Sequence, residues 1–596
     1  MIRIILLMVV FTSVIFSQVD SIKYNDPDST EVDLESLVEQ TNEEEDSQLL
    51  DLLEKEKPTP VGDGFGRMSL EIRSRVSQKL QRSDGYKTGG YLGTPLKSYQ
   101  RIKMSQGKNI TAGILLEKDP GEKEVNDFTN GFIGYKSDGF VSSIVLGDYT
   151  VEGGQGLSLW RGYDLRKGAN ITGGTIREER GLKSHLSADE NGFLRGAAAK
   201  FKLSNLSTII FYSQKYLGAS VDPFDEVTSI YMTGYYRTES EIAKRSKFRE
   251  ILYGTHVLYN FRQDKRFGFT YYNSSFSKDL RLGSGKGFKG DKYSIVSFDY
   301  SIKFNPLKMY GELSSLHGKY VSGLSGVSIT PSKDVKVVSV YRNYSSKYFA
   351  RYANPFGENI GGANEEGYYF GIELSPFKTI NLSAYSDQFS FPQSSSIVYP
   401  TRGNEYFIQV GCGLFPKLKL SLRYRIKSTD MSQKISVFTN REIEIVDNET
   451  KQNYRVNIDY RFSPTVALRF RAEYLTLSTR LTKKKETGIL LYQNVKFKTT
   501  ERFNVEFRLS YFKTDSYDSG VGEFENDLPG VLTIPVFYGE GVKWYALLTY
   551  KIWNSLQLSV KYSNLIREDV KKIGSGLDEL PSNYDNRISV QVDFNL

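Results

Sequence analysis

"RISVQVDFNL" closes the chain, from Arg587 to Leu596. Ile588, Val590, Val592, Phe594 and Leu596 fall on one face of an extended strand. Ser589, Gln591, Asp593 and Asn595 fall on the other. Side chains two apart share a face of a strand, so this period of two predicts a half-apolar β-strand. The scheme recurs along the chain. "MSLEIRSRV" sets Met68, Leu70, Ile72 and Val76 against Ser69, Glu71, Arg73 and Arg75. "LKLSLRYRI" sets Leu418, Leu420, Leu422, Tyr424 and Ile426 against Lys419, Ser421, Arg423 and Arg425. "VALRFRAEYL", "FNVEFRLSYF" and "LQLSVKYSNL" repeat it.

A soluble sandwich also has one wet face, so a charged face alone does not separate the two cases. The connections do. Strands near 404–413 and 417–428 share a tight turn, and 429–449 then reads as a long polar connection. The order repeats for 450–462 with 465–478, 487–498 with 502–514, and 541–552 with 556–566. Dipeptides such as Asn305-Pro306, Ser375-Pro376, Phe415-Pro416, Ser463-Pro464 and Asn554-Ser555 mark short turns. Alternating short and long connections between strands of about ten residues describe a transmembrane barrel with short periplasmic turns and long outer loops. The last strand descends to the periplasmic side on this count. The prediction is an all-β membrane protein: a single large antiparallel transmembrane β-barrel of roughly 24–26 strands over residues 66–596, in the outer membrane of a Gram-negative bacterium. Only a closed sheet satisfies every backbone group in lipid.

Composition agrees. The 596 residues include 41 Tyr and 36 Phe, side chains that suit strands and membrane interfaces, and only 17 Pro. The apolar run from Ile4 to Phe16, after Arg3 and before Ser17, reads as a secretory signal peptide over residues 1–17, too short to span a bilayer. Cys412 is the single cysteine, so an internal disulfide is excluded.

Residues 18–60 read as an acidic, partly helical periplasmic arm. Residues 19–57 hold 14 Asp or Glu and 3 Lys, a balance of −11. The whole chain is +8 and Arg3 contributes +1, so residues 58–596 carry about +18. The arm is either a solvated leader or a segment that docks on the basic barrel mouth or a periplasmic partner. A cationic lumen would gather anionic solutes or polymers. Lys483, Lys484 and Lys485 can equally hold phosphates of lipopolysaccharide or other outer-membrane lipid. The arginines expected to set lumen electrostatics are Arg161, Arg166, Arg177, Arg195, Arg423 and Arg425.

"GDYTVEGGQGLSLWRG" (Gly147 to Gly162) follows a strand but fits no dinucleotide or phosphate-loop pattern. Glycines in sheets mark bends and close backbone approach. Alternation is poor from about 150 to 195. Gly153, Gly154, Gly156 and Trp160 are therefore candidate hinges of a segment folded inward to constrict a wide barrel. A longer surface loop or sharply bent wall strands are the alternatives.

"LGDYTVEGGQGLSLWRGYDLRKGANI", "SADENGFLRGAAAKF", "TGYYRTESEI" and "ARYANPFGENIGGANEEGYYFGIEL" resemble the large outer-membrane barrels of the Bacteroidota and their relatives, usually described as helix-hairpin-helix domain-containing proteins. The stretch from Gly147 through Trp160 is the most specific part. The resemblance implies the barrel and its compartment and names no substrate. In that family the arm commonly leads into DNA-binding-type helical hairpins. Here Pro58 leads almost directly to the first strand at Arg67, no such pattern is present, and nucleic acid is a partner without a motif to support it.

The leading expectation is a constricted channel or translocation component that is not an enzyme and carries no cofactor or metal. A scaffold for envelope assembly or secretion, recruiting a periplasmic protein through residues 19–57, is the alternative. A barrel hydrolase ranks below both: of His185, His256 and His317, only His185 has Ser187, Asp189 and Glu190 close in sequence. Metal ligation lacks a His/Cys cluster. A receptor with a separate plug domain is disfavoured by the short sequence before the first strand.

Overall fold

The computed structural model describes residues 68–596 apart from 162–166, 263, 284–286, 360, 394–399, 438–440 and 501. The expected signal peptide and acidic arm lie outside the described residues, as does Arg166.

Twenty-four antiparallel strands form a closed barrel. Closure is made by the first strand, Met68–Lys79, against the last, Tyr584–Asn595. Their register runs from Glu71 opposite Asn595 to Lys79 opposite Arg587. The strand pair that ends the chain thus seals the pair that begins it, and no edge is left open.

The period of two resolves into lipid and lumen faces. On Leu307–Leu316, Leu313 is 58% exposed while its neighbours Glu312 and Ser314 are buried. Thr401–Phe415 alternates likewise: Tyr406 and Ile408 are exposed, Glu405, Phe407 and Gln409 buried. Large apolar side chains on the outer surface suit a wall bathed in lipid and would be unfavourable in water. A row of exposed aromatics marks the turn end of the wall. Phe261, Phe304, Phe377, Phe415, Phe462, Phe497 and Trp553 are each the last or next-to-last residue of a strand entering a short turn. That is the interfacial aromatic girdle of an outer-membrane barrel.

Eleven short turns lie at this periplasmic end, including 204–205, 305–306, 416–417 and 554–555. The other end carries the long connections 80–95, 153–193, 218–247, 345–364, 515–539 and 568–583. One expected long connection is absent. Residues 429–449 continue the wall as a projecting hairpin, since Leu418–Val437 and Arg441–Ser463 stay in register from Leu418–Tyr460 to the tip. Opposed pairs such as Ile435 with Ile443 and Lys434 with Glu444 favour pairing past the membrane. Polarity alone suggested a loop; the alternation of Ile435 with Lys434 and Ile443 with Glu444 makes it a strand.

Candidate functional site in the barrel lumen

The strand Val141–Glu152 pairs with Leu194–Leu203, so residues 153–193 form an insertion between adjacent wall strands. Its first part runs along the inner face of strands far around the barrel. Glu312 organises it. This lumen-facing carboxylate accepts the backbone N–H of Gln155 at 2.7 Å, of Leu157 at 2.9 Å and of Ser158 at 3.1 Å, and the Ser158 hydroxyl at 2.8 Å. Ser297 on the adjoining strand donates a fifth bond at 2.6 Å. Successive N–H groups converging on one carboxylate stabilise a buried charge without a cation.

The glycines let the backbone come that close. A Cβ at Gly153 would stand 2.7 Å from the His256 ring, and one at Gly154 2.6 Å from a Glu312 oxygen. Gly154 and Gly156 also hold φ of +62° and +88°, the left-handed region that other residues enter at a cost. Trp160 is buried, and its backbone N–H donates to the Tyr352 carbonyl at 2.8 Å. Arg177 and Arg180 stack over its ring at 5.7 and 6.0 Å.

Further along, the Thr172 N–H reaches Glu373 at 2.8 Å and the Thr175 hydroxyl meets that of Tyr310 at 2.8 Å. Lys167 enters a buried cluster. It contacts Glu358, lies 2.7 Å from Asp387 and 3.5 Å from Glu405. Arg342 binds the same Asp387 through two bonds of 2.9 Å, Arg425 binds Glu405 at 2.8 Å, and Lys427 binds Glu358 at 2.7 Å. The insertion 345–364 shares this arc: Arg351 pairs with Glu250 at 2.9 Å, and Tyr348 donates to the Leu157 carbonyl at 2.6 Å.

A second insertion, 515–539, packs on the opposite arc. Glu523 sits between Arg471 and Arg508, with 3.1 Å to the latter. Glu525 pairs with Lys543 at 2.9 Å, and Asp527 with Lys561 at 2.8 Å. The Pro529 carbonyl accepts from Arg75 at 3.0 Å and from Gln591 at 3.1 Å. The lumen is therefore lined on two sides by folded-in chain held through buried charge pairs.

No protein-family model and no curated protein matches the chain. Among solved structures it is similar to the copper transporter OprC, at 7% identity over 90% of this chain and 81% of that one, with a TM-score of 0.45. It is similar to the siderophore receptor PirA from Acinetobacter baumannii at 7% identity, over 90% and 81%, with a TM-score of 0.43. The outer-membrane expressed OmpT of Vibrio cholerae matches at 12% identity over 56% of this chain and 99% of that one, with a TM-score of 0.29. The chemistry of the lumen is accordingly read from this chain's own residues.

The arginines singled out from the sequence divide. Arg161 lies over the Tyr352 ring at 5.4 Å, and Arg177 is buried with a bond of 3.3 Å to the Gly174 carbonyl. Arg423 and Arg425 do face the lumen, but Gln409 holds the first at 3.1 Å and Glu405 the second. Arg195 stands opposite Asp148 in the register, with its guanidinium 5.2 Å over the Phe193 ring. Two bonds of 2.7 and 2.9 Å to Asp148 tie it there.

Sequence reasoning missed Glu312, Lys167, Glu523 and Glu365, the last of which accepts from Arg342 and from the backbone N–H groups of Glu358 and Asn359. Each is one charged residue in a strand or loop full of them. Only the glycines opposite Glu312 gave a signal, as a mark of close approach without its partner.

The histidines are held in the frame. His256 is buried between Glu179 at 2.9 Å and Thr270 at 2.8 Å. His185 stacks on Phe193 with centroids 4.9 Å apart and faces the Asp189 carbonyl at 3.3 Å. The Ser187 hydroxyl accepts the Asp189 N–H. His317 occupies the turn 317–319 with φ of +56°.

Outside the wall, the loops knit into a platform. The Leu92 N–H donates to the Arg237 carbonyl, Tyr236 N–H to Glu122, and Arg237 reaches Asp578 at 3.4 Å. Carboxylate oxygens of Glu117, Asp119 and Glu190 lie within 4.8 Å of one another, and Lys97 approaches Asp119 at 2.6 Å. Burial, then repulsion from neighbouring carboxylates, pushes the Glu190 carboxyl up to about 9 and the Glu122 carboxyl to about 7.

Proposed function

We propose that this outer-membrane barrel is a channel or translocation component whose bore is set by its own folded-in segments. The single observation that carries the reading is the mode of attachment of 153–180 and 515–539. Both are fixed to the inner wall by charged and hydrogen-bonded groups, of which the Glu312 cradle is the clearest. A 24-strand wall is too wide for one layer of side chains to fill. Inserts on opposite arcs narrow it while leaving a polar surface, as a selective passage requires.

The anionic preference expected from net charge has a different seat from the one the sequence suggested. Among the described residues, Arg161, Lys167, Arg177, Arg423 and Arg425 are engaged by carboxylates, amides and aromatic rings. The periplasmic rim carries the surplus instead. Taken with three residues on either side, the eleven short turns hold 18 lysines and arginines against 4 carboxylates. Counted with the same margins, the twelve connections at the other end hold 36 against 36. An asymmetric charge of this kind concentrates anions at the inner mouth. Lipopolysaccharide contact falls to outward cations such as Lys483 and Lys485.

Single-channel recording in planar bilayers tests the proposal. Stepwise currents with a reversal potential shifted toward the anion are expected under a salt gradient. Silence, or cation selectivity, would refute it.

A further inference from the structure

The periplasmic rim has a charge and a position that fit one occupant. Every one of its eleven short turns has a lysine or arginine within three residues, among them Lys108, Lys303, Lys333, Lys378, Lys417 and Lys551. Each of these six is exposed. The balance of +14 around the turns accounts for most of the surplus on residues 58–596.

The strand Met68–Lys79 starts at this same rim, where the Leu70 N–H donates to the Leu596 carbonyl at 3.0 Å. The preceding chain therefore emerges among the basic turns. Its segment 19–57 carries −11. Ten residues, 58–67, separate that segment from the wall, a tether reaching up to about 35 Å. A 24-strand wall with tilted strands about 4.8 Å apart is roughly 50 Å across. The acidic segment is thus long enough and close enough to lie along the rim, and a short tether keeps its local concentration in the millimolar range.

We infer that the rim is an intramolecular docking surface whose occupant is the chain's own acidic segment, residues 19–57. Carboxylates such as Glu43, Glu44, Glu45 and Asp46 meet the turn lysines, and the surplus charge of the two parts largely cancels. Docking of this kind is ionic and therefore screened: the Debye length falls from about 10 Å at 0.1 M salt to about 3 Å at 1 M. The inference stands apart from the channel proposal, because a barrel of any function presents this rim.

Zero-length carbodiimide crosslinking of the full chain in a zwitterionic detergent, read by mass spectrometry, tests it. Intramolecular links from residues 26–56 to Lys303, Lys333, Lys417 and Lys498 are expected, with a yield that drops at least about fivefold between 0.1 and 1 M salt. Lys483 and Lys485, at the opposite end of the barrel, serve as controls and stay unlinked. The quadruple variant K303Q/K333Q/K417Q/K498Q lowers the links at the remaining rim residues Lys308 and Lys551; the salt titration of the unaltered protein needs no variant to fold. Links spread evenly to Lys483 and Lys485, or yields indifferent to salt, would overturn the inference. So would loss of all rim links in nanodiscs containing phosphatidylglycerol, which would assign the rim to lipid headgroups. Links in intact cells that run only to another protein would assign the segment to a partner.

Discussion

Glu312 takes the backbone N–H of Leu157 at 2.9 Å, across 155 residues of chain. That bond, with its companions from Gln155 and Ser158, turns an insertion after one wall strand into a lining for wall strands much further round. Replacing Glu312 by alanine leaves several buried N–H groups without an acceptor, at about 1–3 kcal/mol each. The barrel is expected to assemble while the lining detaches. In a C412S background, T172C should react with a water-soluble maleimide far faster when Glu312→Ala is added. An unchanged labelling rate would contradict the anchoring role.

Gly154→Ala tests the same contact from the other side. The new methyl would stand 2.6 Å from a Glu312 oxygen, on a backbone with φ of +62°. A cost of about 1–3 kcal/mol is expected from the left-handed conformation alone. Larger single-channel conductance and earlier proteolytic cutting at Arg161 should follow. Ser158→Ala, which removes one bond and adds no atoms, should have the smaller effect.

Lys167 brings a positive charge to Glu358, Asp387 and Glu405 at once. Removing one partner from a buried ionic cluster commonly costs about 3–5 kcal/mol. Lys167→Met should lower the unfolding temperature of the barrel in detergent, measured by loss of heat-modifiable mobility. Lys308→Met, whose partner Glu178 is mostly exposed, should change it little.

The outer platform should respond to pH. The Glu190 and Glu122 carboxyls are raised to about 9 and about 7 in the folded loops. A carboxyl whose folded value lies above its unfolded value binds more protons when folded, so the stability it lends declines as pH rises. Hydrogen-exchange protection of 119–127 and 185–193 should be greatest near pH 5 and fall progressively toward pH 9. Glu190→Gln should flatten the upper part of that profile. Protection that rises with pH would contradict the arrangement.

Arg425 tests the charge balance of the lumen. Arg425→Ala uncovers Glu405 in the lumen and should shift the anion-to-cation permeability ratio toward cations.

The barrel was legible because its signal repeats. Leu418 to Ile426 and Ile588 to Leu596 each state the same alternation, and each strand is flanked by connections of the right length. The projecting hairpin at 429–449 escaped because its pairing extends beyond lipid, where both faces are polar and the apolar stripe thins. The lumen was less legible for a physical reason. A buried carboxylate such as Glu312 or Glu365 has the sequence surroundings of any inward-facing charge. What distinguishes it is a partner more than a hundred residues away, or, for Glu365, the loop turning back to present the N–H groups of Glu358 and Asn359. Net charge told that cations were in excess but not where; the turns had first to be placed at one end.

The central claim is a closed wall with lipid outside and paired charges inside. Spin labels placed one at a time along 405–410 and 311–316, in vesicles, test it most directly by their accessibility to oxygen against a water-soluble nickel chelate. The account predicts oxygen-accessible labels at Tyr406, Ile408 and Leu313, alternating with labels at Glu405, Gln409 and Ser314 that oxygen reaches poorly. Uniform access of the nickel chelate to Tyr406, Ile408 and Leu313 would contradict it.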